Sequence, residues 1–214
     1  MSSVRSLKKD SSRCPGVQST HRQVKGQYES YPYPHRDPED ERNRLIPTVG
    51  DNLDKVMHYC FGGKQRHLHD FRVLVAGGGT GDATIYLAEQ LRDLPAQLVY
   101  LDMSEGSSAV AQKRAAIRGL RNIEWVNASI QDIPKLNLGH FDYINCSGVL
   151  HHLQHPVEGL KILANSLSQK GSINLMVYGK YGRRSIYEMQ ELMRLINGAE
   201  PSMKAKLHNA KKVL

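Results

Sequence analysis

FRVLVAGGGTGDAT (residues 71–84) decides how the rest of the chain is read. Residues 71–77 form a short apolar run rich in β-branched side chains, the pattern of a strand buried on both faces. Glycines follow at 77, 79 and 81. Glycine tolerates positive φ and lacks a Cβ, so a ligand can lie directly on such a turn. A helix then starts near Thr80–Asp82, with Ala83, Ile85, Leu87, Ala88 and Leu91 apolar, and its first N–H groups face the same turn. The spacing is Gly-x-Gly-x-Gly. The dinucleotide fingerprint Gly-x-Gly-x-x-Gly fails here. Counted from Gly77 its third glycine falls on Asp82, and counted from Gly78 its second falls on Thr80.

Working outward, the alternation continues. Residues 96–102, 122–128, 141–147 and 172–178 read as strands, and 80–91, 108–120 and 156–168 as helices. Upstream, Leu53, Val56, Met57 and Cys60 share one face of a helix within 49–61, and downstream 184–196 and 202–214 read as helices. The expectation is an α/β protein, a doubly wound, mostly parallel sheet with helices on both faces. Such sheets take ligands beyond the carboxyl ends of their strands, where the strand order reverses. Asp102 ends the second strand, 21 residues after Gly81. An acid there can accept hydrogen bonds from both hydroxyls of an adenosine ribose, which suits a nicotinamide dinucleotide as well as other adenosine cofactors. The competing reading is an acid that caps the next helix beside Ser104.

The 214 residues suffice for one α/β domain with a core. Net charge is +8 and sits at the ends: +4 over residues 1–30, +5 over 180–214 and −1 between. A basic end can suit nucleic acid or an anionic surface. No basic stretch interleaves with aromatics for base stacking, so solvated ends are the expectation, and nucleic acid is not an expected partner. Residues 1–26 are Ser-rich and basic and read as a disordered tail. Residues 27–47, with four prolines and three tyrosines, read as an extended, non-helical arm that either packs on its own domain or lies as a lid over a pocket. No apolar run reaches the length of a membrane span, and no secretory h-region follows the N-terminus. Cys14, Cys60 and Cys146 lack CxxC spacing and read as free thiols of a reducing, cytoplasmic setting.

VLVAGGGTGDATIYLA, VYLDMS, FDYINCSGVLHHL and LANSLSQKGSINLMVY resemble, in order, the motifs of the class I S-adenosylmethionine (SAM)-dependent methyltransferases across about residues 71–178. The resemblance implies a Rossmann-like fold and a SAM pocket built from Gly77, Gly79, Gly81 and Asp82, then Asp102 and Met103, then Ser129 and Ile130, and Cys146 and Ser147. Two positions depart from the family: Val75 stands where an acid is common in the first strand, and Ala128-Ser129 where an Asp often reads the adenine. The family fold also carries strands six and seven after further helices. The sequence shows neither, so the expectation is a domain 48–179 that lacks them, followed by basic, truncated helices at 180–214.

The resemblance implies methyl transfer to an unidentified acceptor, a small molecule or protein. The turn after the fourth strand, NCSGVLHHLQH, lacks the Asn/Asp-Pro-Pro-aromatic sequence that resembling base N-methyltransferases use, which argues against a nucleobase amine. His151 and His152 are candidate general bases beside a packing alternative. Tyr178 is a further candidate, and Tyr28, Tyr31 and Tyr33 are candidate lid residues that would keep water from the sulfonium. His151 and His155 lie four apart, but without a nearby carboxylate or thiolate no metal is expected. A NAD-type oxidoreductase and a non-catalytic SAM-binding or interaction module remain as alternatives.

Overall fold

The computed structural model describes residues 5–6, 25–63, 70–200 and 202–213. Among these, six strands occur: β1 (Arg5–Ser6), β2 (Arg72–Ala76), β3 (Gln97–Asp102), β4 (Ile123–Asn127), β5 (Phe141–Ser147) and β6 (Leu167–Met176). They form one parallel sheet in the order β1-β4-β3-β2-β5-β6. The helices of this unit are α1 (residues 25–30), α2 (Leu53–Phe61), α3 (Asp82–Gln90), α4 (Glu105–Ile117), the short α5 (Ile133–Leu136) and α6 (Pro156–Asn165). From β2 the chain builds outward through β3 and β4. It then returns to β2's other side as β5, so the strand order reverses between β2 and β5. The α/β class expected from sequence is the one observed.

Strand alternation supplies a core on each face. Val73 and Val75 of β2 pack with Leu98, Tyr100, Ile85 and Leu87 in one cluster, whereas Leu74 and Ala76 pack with Val99, Leu101, Ile144 and Leu163 in the other. Helix ends follow from local chemistry. The Asn52 side chain accepts from Lys55 N (3.0 Å) to start α2, and Gly62 in the left-handed region stops it. Ser104 accepts from Ser107 N (3.0 Å) to start α4.

Three local expectations are corrected. The arm begins in a helix: α1 is closed by Tyr31 N on Gln27 O (2.8 Å) and ends where Pro32 and Pro34 forbid continuation. A 3-10 turn, Pro38–Arg42, follows with Asp37 as its cap. Within the tail expected to be disordered, Arg5 and Ser6 pair with Val126 and Asn127 of β4. The remainder of that tail, through residue 24, lies outside the described residues. The helix expected to run to 168 stops at Asn165, and β6 starts at Leu167 instead of 172. Ser166 causes this. Its hydroxyl turns back to the Ile162 carbonyl (2.8 Å) while its own carbonyl accepts Phe141 N (2.8 Å), joining the helix end directly to the β5 ladder.

Residues 178–214 make a second unit with α7 (Arg184–Asn197) and α8 (Met203–Val213), matching the two helices expected there. Neither buries a residue, and Asn209 donates to the Asn197 side chain (2.9 Å).

Candidate cofactor site

The carboxyl ends of β2, β3 and β5 meet at the reversal, and the residues that follow them (77–79, 102–103, 147–149) are all half-buried, the rim of a crevice. The loop after β2 is held from below. Gly77 N and Gly78 N both donate to the Leu101 carbonyl (2.7 and 3.1 Å), and the buried Tyr100 hydroxyl donates to the Gly79 carbonyl (2.7 Å). Its glycines answer largely to protein packing. A Cβ on Gly77 would lie 2.4 Å from Val149, on Gly78 2.3 Å from the Tyr100 ring, and on Gly81 2.9 Å from Ala111. A Cβ on Gly79, at φ +52°, would come 2.9 Å from the Tyr33 carbonyl. Ligand approach is therefore one demand on this loop among several.

Asp102 joins two loops. One carboxylate oxygen accepts Gly79 N (2.8 Å) and the other Ser104 N (2.8 Å). Lone pairs remain on the carboxylate for a ribose hydroxyl. Burial pushes this carboxyl above its ordinary range. Backbone N–H groups of Ser104, Gly79 and Met103 oppose that, and the Glu29 charge adds to it.

The arm lies on the same two loops. Glu29 accepts Glu105 N and Gly106 N (both 2.8 Å), and Thr80 donates its hydroxyl to the Pro34 carbonyl (2.7 Å). Arg36 grips Asp82 through Nε (2.9 Å) and a terminal nitrogen (2.6 Å). Asp82 also accepts from Arg114 (2.7 Å), and Arg114 in turn pairs with Glu41, both about 1% exposed; Arg118 completes the set on Glu41. Asp82, expected among the cofactor contacts, is thus the hub of an ion network that fastens the arm. Burial raises its pKa, but hydrogen bonds from Arg36 and Arg114 outweigh this, and the group ends below its ordinary value. Of the lid candidates, Tyr28 meets His152 edge-on (6.3 Å between centroids), and Tyr31 and Tyr33 are more than half exposed.

Beyond β5 the expectations divide. Ser147 is on the rim, with its N–H on the Asn145 side chain (3.3 Å). Cys146 is not a lining group: it is fully buried in the core, and burial pushes its thiol up to about 12. His151 and His152 sit in the 3-10 turn Leu150–His152, their rings 4.3 Å apart. A buried acid that the sequence did not announce, Asp51, packs against β5: it accepts from Tyr143 (2.9 Å), Asn145 (2.6 Å) and Thr48 (2.6 Å). After β4, Ser129 caps the turn Ile130–Asp132 through a reciprocal pair with Asp132, and Ile130 buries its side chain in the core. The side chains of Ser129 and Ile130, both expected in the pocket, are thus taken up by the turn and the core. Tyr178 opens the second unit, where the Arg183 guanidinium lies 3.7 Å over its ring.

The residues sequence reasoning missed (Glu29, Arg36, Glu41, Asp51, Arg114) act across long sequence separations. Because α4 starts at Glu105 and not at 108, Gly106 falls in its first turn, a position the sequence reading left outside the helix.

Residues 74–173 match the family model described as a methyltransferase domain. That stretch is just under half of the chain, and it is similar to the methyltransferase domains of that family. It is 37% identical over 177 residues to the uncharacterized protein syc1184_c of Synechococcus sp., covering 82% of this chain and 41% of that relative. It is 30% identical over 112 residues to the tRNA 5-carboxymethoxyuridine methyltransferase of Escherichia coli K12, covering 52% of this chain and again 41% of the relative. The chain thus spans about two fifths of the length of these curated relatives. Among solved structures, PKMT2 from Rickettsia typhi in complex with AdoHcy superposes with a TM-score of 0.57 at 23% identity, covering 76% of this chain and 31% of that one, a likeness of methyltransferase fold.

Proposed function

We propose that this methyltransferase domain binds S-adenosylmethionine between the loops after β2 and β3 and moves its methyl group to a small-molecule or protein acceptor at the end of β5. The observation that carries the reading is Asp102, fixed by Gly79 N and Ser104 N with lone pairs left for a ribose. Gly77–Gly79 backbone, Asp102 and Met103 would hold the adenosyl part, and Ser147, His151 and His152 would border the acceptor. When bound, the sulfonium supplies an electrophilic methyl carbon. The chain's own task is then to align a nucleophile behind that carbon and to exclude water. The arm serves the second need, since Tyr28, Tyr33 and Pro34 lie along the same rim. His151 or His152 would take the proton of a hydroxyl acceptor. The glycine spacing disfavours NAD, and a reducing cytoplasmic setting accords with the free Cys60 and Cys146. Among the described residues no helix is long and apolar enough to cross a membrane.

Calorimetry with SAM, S-adenosylhomocysteine and NAD tests the cofactor. Saturable binding of the first two and none of NAD is expected, and NAD binding alone would overturn the reading. A labelled methyl donor with panels of metabolites and proteins then tests transfer, and cofactor uptake without any transfer would leave a binding module in its place.

A further inference from the structure

The strap formed by residues 29–36 has two unequal ends. At one end the Pro34 carbonyl is held by the fully buried Thr80 hydroxyl, and Arg36 enters the ion network of Asp82, Arg114 and Glu41. Water cannot readily replace partners there, because Arg114 and Glu41 are desolvated. At the other end Tyr28 meets the His152 ring edge-on, and Glu29 takes up backbone donors. Glu29, about a third exposed (31%), takes the N–H groups of Glu105 and Gly106 at the start of α4, with Lys25 as its other neighbour at 3.9 Å. Both N–H groups belong to the first turn of a helix, whose donors water satisfies at little cost. Release of Glu29 also leaves the Ser104 cap in place.

Gly106 is the second, independent observation. Its φ lies outside the left-handed region, so the backbone does not require glycine. A Cβ there would come within 3.2 Å of both the Glu29 carbonyl and its Oε2, tighter than ordinary contact, so the missing side chain is what lets Glu29 approach. The two ends of the strap also rest on the same two loops that Asp102 bridges, since the Tyr33 carbonyl comes close to Gly79 and Glu29 caps the turn after Ser104.

We infer that Glu29 is a latch: the strap pivots at its Pro34–Arg36 anchor, and detachment of Glu29 from the α4 N-terminus is the opening that admits and releases the adenosyl cofactor. This rests on the proposed cofactor reading. The latch holds by two charge-assisted hydrogen bonds, strong enough to close over a ligand and exposed enough to reopen.

The test uses the full chain with S-adenosylhomocysteine as probe. Its dissociation is timed by stopped-flow displacement, and exchange of the Glu105 and Gly106 amides is followed by NMR. Glu29→Ala should speed release roughly tenfold or more, the weight of charged hydrogen bonds, with the thermal midpoint nearly unchanged. Glu29→Gln, which keeps an acceptor oxygen, should fall between. Gly106→Ala should speed release from the opposite side of the contact, and bound probe should slow exchange of the two amides in the wild type. If Glu29→Ala collapses the fold, Glu29 is a structural cap and the latch is wrong unless the folded Gly106→Ala protein shows faster release. Wild-type protein that takes up no probe would sink the cofactor reading and the latch with it. Uptake followed by equal release from wild type and both alanine variants would sink the latch alone.

Discussion

The Tyr100 hydroxyl donates to the carbonyl of Gly79 at 2.7 Å, while the Tyr100 ring fills the space a Cβ on Gly78 would need. One buried side chain of β3 therefore sets both the height and the composition of the loop after β2. Tyr100→Phe keeps the ring and removes the bond. The expected loss is about 0.5–1.5 kcal/mol of stability by urea unfolding, together with weaker S-adenosylhomocysteine binding as the loop loosens. Unchanged affinity would show that the loop is positioned without this contact. Gly78→Ala should cost more, about 1–3 kcal/mol, because the new methyl meets an aromatic ring in a filled core.

Asp102→Ala should weaken S-adenosylhomocysteine binding by about 1.5–3 kcal/mol in calorimetry if the carboxylate takes the ribose hydroxyls. The pH dependence has a definite sign. Burial holds the Asp102 carboxyl above the ordinary range, so it takes up a proton at a higher pH than a free Asp. Protonation removes the charge that strengthens the ribose bonds, so affinity should fall as pH drops through that raised value. Asp102→Asn should flatten the fall. Glu29→Gln should move it to lower pH, since the Glu29 charge contributes to the rise. A wild-type profile as flat as that of Asp102→Asn would remove Asp102 from the site.

Glu41→Ala leaves the buried Arg114 without its main partner and should destabilise the fold by about 3–5 kcal/mol in denaturant unfolding. A loss below one kcal/mol would mean that Arg114 reaches water in solution. Asp82 adds an acid-side effect. Its folded pKa is lowered, so its stabilising contribution is present above the unfolded value and is lost as pH falls through the folded one. Arg36→Ala should shift that loss towards higher pH.

Cys146 and Cys60 should separate under alkylation. The Cys146 thiol is fully buried and pushed up to about 12, whereas Cys60 is exposed. Iodoacetamide at neutral pH, read by peptide mass, should label Cys60 and spare Cys146 until the chain is unfolded. Equal labelling of the native protein would contradict the packing of β5.

Much of this was legible in the sequence because periodicity is local. The apolar runs around residues 74, 99, 126 and 144 match four strands nearly to the residue, and the glycine loop and Asp102 fall at the carboxyl ends of two of them. The start of β6 was not legible, because it depends on where the Ser166 carbonyl meets β5, a contact across 25 residues. Asp82 was misread for a related reason. An acid at a helix N-terminus beside a glycine loop looks like a ligand contact until Arg36 and Arg114, 46 and 32 residues away, are seen to claim it. Cys146 was misread because its place at a strand end says nothing of which face it takes.

The pairing of Glu41 with Arg114 crosses 73 residues. On a ribosome the arm emerges long before α4 does. Until Arg114 is synthesised, Glu41 has no counter-ion worth leaving water for, because a lone carboxylate gains nothing from entering an apolar interior. The arm, made before α4, can therefore settle through Glu41 only once α4 is there to meet it.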